Sequence, residues 1–403
     1  MGNILIFETG FAGHHLEYLH HYYEYAINDK SNSYVFLIAD SFKEVKEKYT
    51  WEKSANVRFE YIDPIILDKC INNKLLVGSF YKSIYLRKKC KEYNISLIIT
   101  TMLMEYLPFL PFILNKKIEF RGIIYRIFLY EQREKFNSHK LISSIKYQLL
   151  KNSPQFKKIF ILNDKYGTIR LNKKYNTHKF NFLPDPIPVI GNGENLKEKL
   201  NIPQNNIVFL HFGGLGYRKG TITILDSLEY LKSNNNFTFI FAGKIGDECK
   251  DEFYKKLKKS KDKCQILVYD YFCEYDFLSS LCITCDYILL PYTNVNQSSG
   301  VLGYAARFNK PVIGPAEGLL GYLIKNYKLG QTICNINPQK LAYSMANYNN
   351  ISAIDGTPYI KENNIEEFKR ILFSLKIYFS IHCQSPLKWS TIYYFKLNKN
   401  LIS

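Results

Sequence analysis

The stretch "CDYILLPYTNVNQSSGVLGYAARFNKPVIG", residues 285 to 314, decides how this chain is read. Tyr287 to Pro291 is an apolar run suited to a buried strand. Polar turn residues follow, then a short amphipathic helix opening at Gly300, then a second buried strand at "PVIG". A strand end leading through small residues into a helix start leaves backbone N–H groups unpaired at the positive end of a helix dipole. That arrangement suits an anion such as phosphate.

Outward from this stretch the same alternation recurs. "NILIF", "SYVFLIA", "VRFEYI", "ISLIIT", "GIIYRIF" and "KIFILN" precede a break, and "NIVFLHF", "FTFIFAG" and "QILVYD" follow it, with helical segments between. Strands alternating with helices describe parallel sheets covered on both faces. The break, "FLPDPIPVIGNGEN" at 182 to 195, carries three prolines and two glycines and reads as a linker. The expected fold is therefore α/β, two doubly wound Rossmann-like domains facing across a cleft. The expected boundaries are 1–184, 185–372 and a helix end and tail at 373–403. A final helix is expected over Ile365 to Phe379, with Asn364 and Glu367 as a capping box.

At 403 residues the chain exceeds one ordinary core, which agrees with two domains. Nine scattered cysteines form no disulfide framework and point to reduced thiols. "CITC" at Cys282 and Cys285 lacks the second ligand pair a structural zinc site needs, so both read as core thiols. "MGNILIFETG" shows no basic n-region and reads as a strand, and "YLPFLPFIL" is too short to span a bilayer. The expected location is cytoplasmic. A net charge of +18 asks for an acidic partner or a solvated lysine surface. The basic region Lys116 to Lys151, interleaved with apolar residues, suits either anionic lipid on the inner face of the cell membrane or ordinary amphipathic helices. No nucleic-acid-binding module is recognisable, so nucleic acid is not an expected partner.

A second glycine-rich turn opens the second half. In "NIVFLHFGGLGYRKGTITILDSL" a buried strand ends at Gly213 and Gly214, with Arg218 and Lys219 just beyond, and "FAGKIG" ends the next strand at Gly243. Glycines admit a ligand to the backbone, and the adjacent cations supply charge. Taken alone the turn is neither a P-loop nor a dinucleotide fingerprint.

Taken together, the glycine strand end with its "KG" pair, the "LP" strand end, the glycine-led helix and "KPVI" resemble the retaining glycosyltransferases of the GT-B fold, most like family 4. "ILIFETGFAGHHLEYL" is similar to the first strand, turn and helix of such enzymes. The resemblance implies a nucleotide-sugar donor held by the second domain and a glycan or lipid-linked glycan acceptor on the first. It implies no metal or other cofactor, and a hexosyl transfer in bacterial surface polysaccharide synthesis. Where the family commonly carries an arginine after the strand-end glycine, this chain has Gly214, and Arg218 and Lys219 are the catalytic candidates, as cations stabilising the departing nucleoside diphosphate. Gly213, Gly214, Gly243, Gln297, Ser298, Ser299 and Gly300 line the donor site, with Gly13 and His14 on the acceptor or cleft side. Where the family carries two glutamates eight positions apart, this chain has Asn296 and Tyr304, or Gln297 and Ala305. An inactive binding module is thus a second expectation, and a basic nucleic-acid-binding protein, which the charge of +18 alone would suit, a third. His14 and His20 lie six apart, about 9 Å along a helix axis, too far for one ion. His20 and His21 read as surface or packing residues.

Overall fold

The computed structural model describes residues 2–11, 15–71, 75–127, 138–187, 191, 193–231, 236–260 and 263–374. Residues Met1–Leu372 form one compact unit, and Phe373–Ser403 form a second, of which Phe373 and Ser374 are described. Gly13, His14 and the tail beyond residue 374 lie outside the described residues.

The first unit contains two parallel sheets. The first holds β1 (Asn3–Glu8), β2 (Ser33–Ile38), β3 (Val57–Tyr61), β4 (Ile95–Thr100), β5 (Glu119–Ile124), β6 (Ile159–Leu162) and β7 (Phe180–Leu183), in the order β3-β2-β1-β4-β5-β6-β7. The second holds β8 (Ile207–Phe212), β9 (Phe237–Ala242), β10 (Gln265–Tyr269), β11 (Tyr287–Leu289), β12 (Val312–Pro315) and β13 (Gly330–Ile333), in the order β10-β9-β8-β11-β12-β13. Both orders reverse beside their first strand, between β1 and β4 and between β8 and β11. In open α/β sheets the crevice that binds ligands lies outside the carboxyl ends of the strands at such a reversal.

Period-two burial on both faces explains the near-continuous apolar strands. On β8, Val208, Leu210 and Phe212 enter one core with Leu290 and Leu302, while Phe209 enters the opposite one with Phe239 and Phe241. The sequence reading missed β7 and β13. Each has four residues, and the end of β7 was absorbed into the expected linker because Pro184 follows directly. The stretch read as "GIIYRIF" is shifted: β5 begins at Glu119 and buries Arg121, so this part of the basic region is central strand and not membrane-facing surface.

Asn364 caps the final helix, Ile365–Phe373, by accepting a bond from the Glu367 N–H at 2.7 Å. That helix packs on the first helix of the chain, His15–Asn28, through Phe368 against Tyr18 (5.3 Å between ring centroids) and Tyr22. Among the described residues, no helix is long and apolar enough to cross a membrane.

Candidate functional site

At the reversal of the second sheet, β8 leads directly into Gly213 and β9 into Gly243, with φ of +100° and +134°. Both are conformations that L side chains rarely adopt, and a Cβ on Gly243 would collide with the Gly213 carbonyl oxygen. The two strand ends are thus packed backbone against backbone. Gly214 differs, because a Cβ there would meet nothing within 4 Å. Its backbone borders open space.

Lys219 closes back over this turn, its ammonium 2.6 Å from where a Gly213 Cβ would stand. The same ammonium lies 5.3 Å from the centroid of the Tyr292 ring, and no ion-pair partner meets it among the described residues. Arg218 is exposed, and its carbonyl accepts bonds from the Thr293 N–H and hydroxyl at 3.0 and 3.1 Å, which ties the cationic loop to the end of β11. Tyr292, buried just beyond β11, is what joins the two motifs. Its ring lies under Lys219, and its hydroxyl accepts a 3.3 Å bond from Ser299.

Ser299 is the N-cap of the helix Gly300–Arg307 but makes no side-chain cap bond. Ser298 faces elsewhere. Its hydroxyl donates to Asp185 at 2.6 Å and accepts from the Asn163 amide at 2.8 Å, while Tyr18 donates to the other oxygen of Asp185 at 3.0 Å. Gln297 bridges Arg126 through the backbone, and the Tyr49 and Tyr275 hydroxyls meet at 3.1 Å. The loop 297–298 therefore clasps the first sheet's half to the second's. What the helix start offers a ligand is backbone and the Ser299 hydroxyl.

Beneath Lys219 lies a buried relay. Thr221 Oγ1 accepts from the Gly216 N–H at 2.9 Å and meets His211 Nε2 at 3.0 Å, while His211 Nδ1 lies 3.0 Å from the Leu289 carbonyl. A carbonyl only accepts, so Nδ1 carries the proton and Nε2 accepts from Thr221. Burial, with a smaller contribution from the Lys219 charge, pushes the imidazole down to about 4 against a stabilising bond to Leu289. Such a group binds its proton more readily in the unfolded chain. The stability it confers is full above about pH 6.5 and is lost as pH falls from there through about 4. Between pH 7.5 and 5 the expected loss is about 2 kcal/mol. Denaturant unfolding at both pH values should show His211→Gln lacking this component, and equal pH dependence in the two proteins would overturn the assignment.

The reversal of the first sheet carries a cavity of about 310 Å³ lined by Glu8, Phe11, His15, Ser79, Lys82 and Glu105 among others. Glu8, at the end of β1, accepts from the Thr101 hydroxyl and from the Thr9 N–H, and lies 3.1 Å from His15 Nδ1. Lys82 is nearly buried and paired with Glu105. These side chains come from positions up to 97 residues apart, between Glu8 and Glu105, and only the charge closing the apolar run "NILIFE" marks one of them in the sequence. Sequence reasoning also missed Tyr292, Thr221 and His211. Cys282 and Cys285 are core thiols, with burial pushing Cys285 up to about 12.

No protein-family model and no curated protein matches the sequence. Among solved structures, the chain is similar to WaaG, a glycosyltransferase involved in lipopolysaccharide biosynthesis. The identity is 14% and the TM-score 0.63, covering 93% of this chain and 100% of that one. It is likewise similar to Anabaena Alr3699/HepE in complex with UDP-glucose, at 14% identity, TM-score 0.63 and coverage of 92% and 98%. A glycosyltransferase from Rickettsia africae matches at 14%, 0.61, and 92% and 96%. At these identities the likeness establishes the fold, two doubly wound halves of GT-B type.

Proposed function

We propose that this chain transfers a glycosyl group from a nucleotide sugar to a hydroxyl of a glycan or lipid-linked glycan. The observation that carries the reading is the Lys219 ammonium, which meets no ion-pair partner among the described residues. It stands over Tyr292 between the open backbone of Gly214 and the uncapped helix at Ser299 and Gly300, at the reversal point of the second sheet. A nucleoside diphosphate gains negative charge as the glycosidic bond breaks, and a preorganised cation with helix-end N–H donors stabilises that charge. Lys219 is the principal cation and Arg218 the outer one. Gly213 and Gly243 shape the turn, and Gln297 and Ser298 hold the helix start in place.

The acceptor occupies the cavity beside Glu8, Ser79 and Lys82. Retention of configuration follows if the departing phosphate oxygen takes the acceptor proton. The Glu8–His15 pair at that cavity favours a second route, in which His15 takes the proton and the configuration inverts. The anomeric configuration of the product, read by NMR, decides between them. HepE was solved with UDP and UDP-glucose, which makes uridine nucleotide sugars the first donors to try. Hexosyl transfer in surface polysaccharide assembly, at an anionic membrane face that the charge of +18 would attract, is the setting this reading favours.

The test is thermal stabilisation across UDP-, GDP-, ADP- and CMP-sugars. A ligand at about 100 times its dissociation constant adds about 2.7 kcal/mol. Gly214→Val fills space that is open in the free protein. It is expected to melt as the wild type does while losing the donor-induced shift. No shift with any nucleotide sugar, or an undiminished shift in Gly214→Val, would count against the donor site.

A further inference from the structure

We propose that His20, His21 and Glu24 form a binding site for one zinc ion on the outer part of the first helix. The ligand atoms of the three residues lie within 4.8 Å of one another. The six-residue interval from His14 to His20 is too long for one ion, but the adjacent pair with a carboxylate one turn on is not.

Each imidazole presents a nitrogen to the carboxylate. His20 Nε2 lies 3.3 Å from the Thr50 carbonyl, which can only accept, so the proton is on Nε2 and the Nδ1 lone pair faces Glu24 Oε1 at 3.9 Å. A backbone carbonyl on the far nitrogen is how metal-ligating histidines are commonly oriented. The ring is further fixed by stacking on Tyr49, 4.4 Å between centroids, and by an edge contact with Trp51.

His21 supplies the independent observation. It is 6% exposed, and neither ring nitrogen makes a hydrogen bond, although Nδ1 stands 3.5 Å from Glu24 Oε2 and Nε2 3.9 Å from Glu17 Oε1. Both contacts are at or beyond the limit of a hydrogen bond, and the one to His21 already holds the Glu24 carboxyl down to about 2, so an ion set between Nδ1 and Glu24 would tighten a contact the fold makes only loosely. Two ligand atoms each about 2.0–2.2 Å from a tetrahedral ion stand about 3.3–3.6 Å apart. The two contacts to Glu24, 3.9 and 3.5 Å, run to different carboxylate oxygens, and the set as a whole lies within 4.8 Å, so the side chains would draw together by up to about 1 Å around the ion. Two imidazole nitrogens with one carboxylate suit zinc better than calcium or magnesium. A cavity of about 460 Å³, lined by His20, Glu24, Tyr49, Thr50 and Glu52 among others but not by His21, opens beside two of the three ligands.

One group competes. Lys369, on the final helix, donates to Glu24 Oε2 at 2.8 Å, so the ion and the ammonium contend for the same oxygen. Lys369→Met should therefore tighten zinc binding, an effect that a purely packing role for the histidines does not produce.

The experiment uses the full, tag-free chain, titrated with zinc chloride by calorimetry and with cobalt(II) by visible absorption. One ion per chain is expected, with the absorption of tetrahedral cobalt and no thiolate charge-transfer band. Affinity should fall at least about tenfold in His21→Phe and Glu24→Gln and rise in Lys369→Met. No saturable binding in the wild type, a thiolate band, or affinity unchanged in all three variants would overturn the proposal.

Discussion

Lys219→Ala is expected to lower turnover about 10²–10³-fold while leaving the fold intact, because one preorganised donor to a developing oxyanion is typically worth that much. The side chain is half-buried, and its aromatic contact with Tyr292 is worth about 0.5–1 kcal/mol. The melting temperature should therefore shift by only a few degrees. The cost should fall mainly on kcat, since the charge being stabilised grows as the sugar departs and is smaller in the bound donor. Lys219→Arg keeps the charge but not the compact ammonium and should recover part of the rate. Arg218→Ala, at the exposed end of the same loop, should cost less. Wild-type turnover in a folded Lys219→Ala protein would sink the catalytic role of this loop.

Lys219 and the two glycine turns were legible in the sequence because they are local. A strand, its end and the next helix start occupy about twenty residues, and their chemistry is set within that span. Tyr292 was not legible as a site residue. Its neighbour in the fold, Lys219, lies 73 positions earlier, and a tyrosine after an "LP" strand end reads as core. Ser298 misled for the same reason. Its sequence context says helix start, but Asp185 and Asn163, 113 and 135 residues away, take its hydroxyl for the clasp between the halves.

The fold followed the same logic. Apolar strands such as β1, β4 and β8 announce themselves, and so do the short β6 and β12, whereas β7 (FNFL) and β13 (GQTI) are edge strands whose polar residues hide them among the surrounding turns. β5 was displaced because Glu119 and Arg121 put two charges at the start of "EFRGII", and only the fold shows that they pair with each other. The cavity at the first sheet's reversal is assembled from the ends of β1 and β4 and a helix between them, so no window of sequence contains it.

That arginine carries the largest stability effect expected here. Arg121 is 1% exposed, donates from Nε to Glu119 at 2.6 Å, and donates from Nη1 to the Leu372 carbonyl at 2.8 Å, at the end of the final helix. A buried pair contributes little net stability over apolar residues of the same shape, yet removing one partner leaves the other charge uncompensated, at about 3–5 kcal/mol. Glu119→Ala should incur that cost in denaturant unfolding. Lys157, 3.7 Å from the other oxygen of Glu119, cannot replace the lost carboxylate. Glu119→Leu combined with Arg121→Met removes both charges and should recover most of the stability, less the bond to Leu372. The lost bond to Leu372 has a local consequence, because it anchors the helix that holds Lys369 against Glu24. The double variant should therefore unfold near the wild-type midpoint but show faster amide exchange in Ile365–Phe373. If Glu119→Ala costs less than about 1 kcal/mol, the pair behaves as an exposed one and Arg121 is not the buried anchor of the returning helix.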